Sequence, residues 1–229
     1  KPSAGWLPRI EYDPAEELLD AKSEIFEAMS SCTDRVMNDS TDTCPRCILV
    51  TSGRPSDGKS TVAFGLAMML ARRGRHVLLI DADLRCPSQH RHFGQRNEFG
   101  FSNLMAGEND VAEMIKQTEV PKLALMCSGP QPPNAGELLS GGRLNEVLTR
   151  LKEKFDVVVI DSPPVLGLAD TPALSRHCEF ILYVVRHGFT NTKLGIDAFK
   201  RLSTIARVPL VLIGTALPNY AYGYGYGYS

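Results

Sequence analysis

Short apolar runs alternate with longer amphipathic stretches along most of the chain. Ile48–Thr51, His76–Ile80, Leu123–Met126, Val157–Ile160, Phe180–Val185 and Leu210–Ile213 are dominated by aliphatic and aromatic residues. Strands without polar alternation are buried on both faces, as in a parallel sheet sandwiched between helices. The stretches Ala15–Ser31, Lys59–Arg73, Ala112–Gln117, Gly142–Lys154 and Lys193–Ile205 predict helices, the second stopped by Gly74. Together they predict an α/β fold, a mostly parallel sheet flanked by helices on both faces. Ligands in such sheets lie at the carboxyl ends of the strands, so polar residues at those ends are the ones to weigh. Residues 1–22, with Pro2, Pro8 and Pro14, read as an extended lead-in, 23–217 as the domain, and 218–229 as a flexible tail. The Pro/Gly-rich stretch Ser128–Asn134 reads as a loop inside the domain.

Composition narrows the class. At 229 residues, 43% apolar and 22% charged, the chain fits one soluble domain with a substantial core. A formal net charge of −1 gives no electrostatic reason to bind nucleic acid or an anionic membrane. No apolar run approaches the roughly 18–20 residues that span a bilayer. The chain does not begin with methionine, which suggests a fragment or a processed protein. Its six cysteines, Cys32, Cys44, Cys47, Cys86, Cys127 and Cys178, include a single CxxC at 44–47. Without a second ligand pair that is weak evidence for zinc, and all six are expected to be free thiols.

The strongest chemical signal is Gly53-Arg54-Pro55-Ser56-Asp57-Gly58-Lys59-Ser60, which satisfies G-x-x-x-x-G-K-[ST] between a predicted strand and a predicted helix. That context defines a P-loop NTPase fold. Backbone N–H groups around Ser56–Ser60 would cradle phosphate oxygens, Lys59 would bridge the β- and γ-phosphates of ATP, and the Ser60 hydroxyl would ligate Mg²⁺. Thr61 completes the predicted nucleotide-binding stretch. Two further strands end in acid: Leu78–Ile80 runs into Asp81-Ala82-Asp83, and Val157–Ile160 into Asp161-Ser162-Pro163-Pro164. Ser60 and Asp81 are expected to hold Mg²⁺ directly and Asp161 through water. Asp83 is then free to act as base or orienter for an attacking hydroxyl.

The last ten residues hold five tyrosines, Tyr220, Tyr222, Tyr224, Tyr226 and Tyr228, alternating with alanine and glycine. Glycine at that density opposes ordering and supplies no apolar surface, so the segment reads as a flexible string of phenols.

The P-loop, the paired-Asp strand and the Asp161-Ser162-Pro163-Pro164 strand end resemble the Walker A, A′ and B motifs of the bacterial tyrosine kinases. These are the cytoplasmic domains of polysaccharide co-polymerases. Arg85-Cys86-Pro87, Gly100-Phe101-Ser102-Asn103-Leu104 and Pro133-Asn134-Ala135-Gly136-Glu137-Leu138-Leu139 resemble further family segments, and the tyrosine tail resembles its hallmark. The resemblance implies a Mg²⁺- and ATP-dependent protein-tyrosine kinase at the cytoplasmic face of the bacterial inner membrane. Its tail tyrosines would be phosphorylated in trans within a homo-oligomer, regulating capsular or exopolysaccharide polymerisation and export. It implies as partners a transmembrane co-polymerase segment, in the same or another chain, and a tyrosine phosphatase. About ten extended residues reach roughly 33 Å, enough to enter a neighbour's site. Each phosphate would add about −1.5 to −2 charges, so several would repel neighbouring tails.

Two departures stand out. The family's Glu-x-x-Arg-x-x-Arg, which joins subunits into a ring, is here Glu24-Ile25-Phe26-Glu27-Ala28-Met29-Ser30, and Ser56 replaces a common P-loop glycine. Two other functions share these motifs. One is a partition- or septum-type switch ATPase, whose signature lysine position is occupied by Arg54. The other is a catalytically weak nucleotide-binding regulator, which intact Lys59, Asp81, Asp83 and Asp161 argue against.

Overall fold

The computed structural model describes residues 3–9, 14–38, 44–108, 110–166, 170–189, 192–206 and 208–217. The order is β1 (Ser3–Pro8), α1 (Pro14–Leu19), α2 (Glu24–Asn38), β2 (Cys47–Ser52), α3 (Lys59–Arg72), β3 (Val77–Asp81), α4 (Gln89–His92), α5 (Phe101–Ala106) and α6 (Val111–Met114). There follow β4 (Lys116–Gln117), β5 (Leu123–Met126), α7 (Ala135–Ser140), α8 (Arg143–Lys154), β6 (Val157–Asp161), α9 (Asp170–Ser175), β7 (Phe180–Arg186), α10 (Thr192–Ile205) and β8 (Leu210–Leu217). Among the described residues the strands form one sheet in the order β1-β8-β7-β2-β6-β3-β5-β4. Every adjacent pair is parallel except β4 with β5.

Period-two alternation splits the strands between two cores. Ile48, Val50, Leu79, Val159 and Leu182 pack beneath α2 and α3, with Met29, Leu66 and Met69. Leu49, Leu78, Ile80, Val158 and Ile181 face the opposite layer, with Leu104, Leu148, Leu151 and Leu202. Burial on both faces is why these strands are apolar throughout, and it bears out the predicted mostly parallel α/β sheet.

The N-terminal reading needs amendment. Part of the stretch that reads as a lead-in is the edge strand β1, paired in parallel with β8. The predicted helix over 15–31 is instead two. The break is local: Lys22 N donates to Asp20 Oδ1 at 2.9 Å, while the Ser23 hydroxyl donates to Glu17 O at 2.5 Å and accepts from Phe26 N at 3.1 Å. Ser23 thus caps the start of α2. The predicted helix over 112–117 stops at Met114, because Lys116 and Gln117 pair with β5. Asp110 caps that short turn, accepting from Ala112 N at 2.9 Å and Glu113 N at 3.3 Å. The tail tyrosines Tyr220–Tyr228 lie outside the described residues.

All six cysteines are free, as expected. The CxxC sulfurs diverge: Cys44 Sγ lies 3.9 Å from Met37 Sδ, whereas Cys47 Sγ is buried 3.6 Å from Cys178 Sγ. Among the described residues no helix is long and apolar enough to cross a membrane.

The chain's one tryptophan, Trp6, lies across Gly214 at the β1–β8 seam, where an added Cβ would come within 1.9 Å of the indole. Gly214→Val is expected to lift Trp6 and loosen β1. The check is a red shift of tryptophan emission together with a loss of about 1–3 kcal/mol in denaturant unfolding, typical of overpacking.

Candidate active site

Sheet order brings the three motif strands together. β2 lies beside β6, and β6 beside β3, with Val50 opposite Asp161 and Asp161 opposite Asp81. The two acidic strand ends are therefore in register at the carboxyl edge, next to the turn leaving β2.

That turn, Gly53–Gly58, is held by residues far away in sequence. Gly53 has no room for a side chain, since a Cβ would approach the Tyr183 hydroxyl to 2.5 Å. Ser56 and Gly58 have φ of 66° and 95°, the left-handed geometry by which turns gather successive N–H groups into an anion-binding concavity. For serine the left-handed conformation costs roughly 1–2 kcal/mol. Bracing offsets it. The Ser52 hydroxyl donates to Arg54 O at 2.7 Å, Arg54 N to Asp57 Oδ2 at 3.1 Å, Arg186 Nη1 to Ser56 O at 3.1 Å, and the Thr215 hydroxyl to Asp57 O at 2.8 Å. Arg54 and Arg186 both lie over the Phe189 ring, 5.3 and 5.1 Å from its centroid.

Lys59 opens α3 and is nearly buried. Its ammonium lies 2.8 Å from Asp83 Oδ2, 3.1 Å from the Ser60 hydroxyl and 3.6 Å from Asp161 Oδ1. Burial pulls the lysine pKa down, but Asp161, Asp83 and Asp81 more than offset it, and Lys59 stays firmly charged. Asp83 Oδ1 accepts from Cys86 N at 3.0 Å. Asp81 is fully buried; its Oδ2 accepts from Ser88 N and Gln89 N, both at 2.8 Å, and its Oδ1 from Asp83 N at 3.3 Å. Desolvation and then the Asp161 charge raise the Asp81 pKa from 3.8 to about 7, against the pull of those N–H donors and Lys59.

Gln89, which the motifs do not flag, ties the strand ends to the loop. Its Nε2 donates to Asp161 Oδ2 at 2.8 Å and to Ser60 O at 2.9 Å. Asp161 Oδ1 is buried and accepts no hydrogen bond. Arg85, at the rim, donates through Nε to the buried carboxylate of Asp170 at 3.1 Å. Asp83, Arg85, Cys86 and Ser88 line a cavity of about 810 Å³, together with Ser56–Val62, Arg186 and Thr215.

The site fits a nucleotide and a hard divalent cation. A run of N–H groups at a helix start offers an anion cradle. Ser60 Oγ and the unpartnered Asp161 Oδ1 are oxygen donors of the kind Mg²⁺ takes, alongside phosphate oxygens and water. The structure brings Asp81, Asp83 and Asp161 together beside Lys59 and Ser60 of the loop 53–61. Sequence reasoning missed Gln89, Asp170, Arg186 and Thr215. They carry no local motif and reach the site only through the sheet order.

Residues 46–205 match the family described as an AAA domain. The tyrosine-protein kinase YwqD of Bacillus subtilis is 33% identical over 165 residues, 72% of this chain and 70% of that protein. The chain belongs to the bacterial tyrosine kinases. Solved structures agree. The chimerical protein CapA2B2 superposes with a TM-score of 0.88 at 27% identity, covering 95% of each chain. The kinase domain of Escherichia coli ETK superposes with a TM-score of 0.87 at 26% identity, over 99% of this chain and 94% of that one. The cell division ATPase MinD of Pyrococcus furiosus shares the fold at a TM-score of 0.62 and 27% identity, over 77% of this chain and 73% of that one. Some relatives are much longer: the kinase spans 78% of its own length but only 23% of the tyrosine-protein kinase ptk of Acinetobacter johnsonii, at 33% identity.

Two predictions concern the kinase without ligand. Ser56→Gly removes the left-handed strain and is expected to stabilise it by about 1 kcal/mol in denaturant unfolding, less whatever the added backbone freedom of the unfolded chain takes back. For Asp81, the folded pKa exceeds the unfolded one. The folded state therefore holds the extra proton between pH 3.8 and about 7, and this residue's contribution to stability falls as pH rises across that window. Asp81→Asn is expected to flatten the pH dependence of the melting temperature between pH 5 and 7 and to raise it at pH 7.5.

Proposed function

We propose that this kinase domain is a Mg²⁺-dependent ATP:protein-tyrosine phosphotransferase that modifies the C-terminal tyrosines of a neighbouring copy, within a system for capsular or exopolysaccharide export. The carrying observation is the Lys59–Asp83 ion pair at 2.8 Å inside the cavity formed by the P-loop. One lysine cannot fully serve both a carboxylate and incoming phosphates.

In this reading, Gly53, Arg54, Pro55, Ser56, Asp57, Gly58, Lys59, Ser60 and Thr61 receive the nucleotide. Ser60 and Asp81 would hold the cation, with Asp161 reaching it through water. Mg²⁺-ATP would supply the phosphoryl group, its cation offsetting negative charge on the carboxylates and phosphates. Lys59 turns to phosphate oxygens and releases Asp83. The freed carboxylate would accept the proton of an incoming tyrosine hydroxyl, whose oxygen attacks the γ-phosphorus as the bond to the bridging oxygen breaks and ADP leaves. Exposed Arg85, anchored on Asp170, borders the approach to Asp83.

Assembly would use contacts other than the family's helix arginines. Ser30, at the second of those positions, accepts two bonds from Arg73 Nη2, through its carbonyl at 2.9 Å and its hydroxyl at 3.1 Å. Glu27, at the first, is exposed on α2. Similarity to the tyrosine-protein kinase YwqD, and to the ETK tyrosine kinase domain at a higher TM-score than MinD, supports phosphotransfer over an ATP-driven dimerisation timer.

The test mixes two variants with Mg²⁺ and ATP and maps phosphate by mass spectrometry. Lys59→Met with intact tail tyrosines serves as acceptor, and a chain with all five tail tyrosines changed to phenylalanine serves as donor. Phosphate on Tyr220–Tyr228 of the acceptor, absent when the donor also carries Lys59→Met, is the expected result. Phosphate release into solution with unmodified tails would instead identify a switch ATPase.

A further inference from the structure

We infer that Gln89 is a positioning residue of the phosphotransfer site: its amide clamps one oxygen of Asp161 to the main chain of Ser60 and leaves the other to face a divalent cation or a water bound to it. The inference rests on the proposed Mg²⁺-nucleotide reading of this pocket.

The geometry is specific to an amide. Gln89 is fully buried on the first turn of α4. Its Nε2 carries two hydrogens, and each has an acceptor: Asp161 Oδ2 at 2.8 Å and Ser60 O at 2.9 Å. Both partners only accept, so this corner can be occupied only by a two-hydrogen donor. Its backbone N–H goes to Asp81 Oδ2 at 2.8 Å. One residue therefore touches all three motifs: Ser60 at the end of the P-loop, Asp81 at the end of β3 and Asp161 at the end of β6.

The consequence for Asp161 is directional. With Oδ2 bound to the amide, the carboxylate is held in one orientation. Its Oδ1 is buried, accepts no hydrogen bond, and lies 3.6 Å from the Lys59 ammonium. A buried carboxylate oxygen without a donor is costly unless a cation or ordered water satisfies it. The Gln89 Oε1 and Ser88 hydroxyl oxygens nearby in sequence are likewise buried without partners. An unpartnered carboxylate oxygen beside Lys59 and the Ser60 hydroxyl, its twin oxygen fixed by the amide, is a donor open to a metal or a metal-bound water. A neutral amide also bridges Asp161 and the main chain beside Asp81 without adding a further carboxylate to the cluster.

Groups that orient a metal-ligating carboxylate typically contribute about 10–100-fold in metal affinity. Gln89→Met keeps the length and volume of the side chain and removes both donors. The measurement is ADP affinity by calorimetry, in Mg²⁺ and separately in EDTA, for the whole chain, with the melting temperature as a check on folding. Wild type is expected to bind ADP more tightly with Mg²⁺. Gln89→Met should lose about tenfold or more in Mg²⁺ and change less than twofold in EDTA, so the metal-dependent increment disappears. Gln89→Glu, of the same shape, should lose at least as much in Mg²⁺, because its carboxylate opposes Asp161. Equal losses with and without Mg²⁺ would show that Gln89 merely supports the fold of the P-loop, and unchanged affinity in both variants would show that it positions nothing; either overturns the inference. If wild type gains nothing from Mg²⁺, the Mg²⁺-nucleotide reading fails, and the inference with it. That outcome is seen in the wild type alone and is thus distinct from failure at Gln89.

Discussion

Everything at the carboxyl edge of the sheet depends on a charge imbalance. Asp81, Asp83 and Asp161 are buried beside the P-loop, and Lys59 is the cation in direct contact with two of them. The imbalance is built into the fold, because the in-register pairing of β3 with β6 sets Asp81 opposite Asp161. Buried like charges are tolerated only if donors surround them or one gives up its charge. Both occur. The segment after β3 folds back so that Cys86 N, Ser88 N, Gln89 N and the Gln89 amide all donate into the cluster. Asp81, fully buried beside Asp161, is still pushed toward protonation near neutral pH. The short α4 is explained by this demand. Its sequence, Gln89-His90-Arg91-His92, has no apolar stripe to make it a helix on its own account.

The P-loop depends equally on the far half of the chain. The left-handed Ser56 and Gly58 are held from β7, through Arg186, and from β8, through Thr215. Tyr183 on β7 sets the clearance over Gly53 and donates its buried hydroxyl to Gly195 O at 3.1 Å. The nucleotide loop is therefore not a local motif that happens to sit on a sheet. Its strained conformation persists because strands contributed more than a hundred residues later over-determine it.

This division explains what was legible in the sequence. Uninterrupted apolar runs mark buried parallel strands, and G-x-x-x-x-G-K-S marks a phosphate loop, since both signals are contiguous. The acidic strand ends were legible for the same reason. The break at Asp20–Ser23 was readable in principle, because a serine before an apolar-periodic stretch is a cap signal, but the continuous pattern over 15–31 hid it. β1 was missed because its value lies in pairing with β8 across two hundred residues, and Lys116–Gln117 because pairing with β5 overrides a weak helical pattern. Gln89, Asp170 and Thr215 carry no local pattern. A glutamine in a polar turn looks like solvent-facing surface until the sheet order places it among three carboxylates.

In the proposed mechanism the same imbalance gives the kinase its order of events. With Asp83 held by Lys59, the carboxylate best placed to take a proton from a phenol is neutralised by its partner. It becomes a base only when phosphate oxygens compete for the lysine, so the acceptor is activated after the donor is in place. A base freed without nucleotide would add an uncompensated negative charge to a pocket already crowded with carboxylates, which low local dielectric penalises heavily. The electrostatic cost that makes the empty pocket awkward thus opposes a free base in the absence of phosphate, and no moving lid is needed to couple the two.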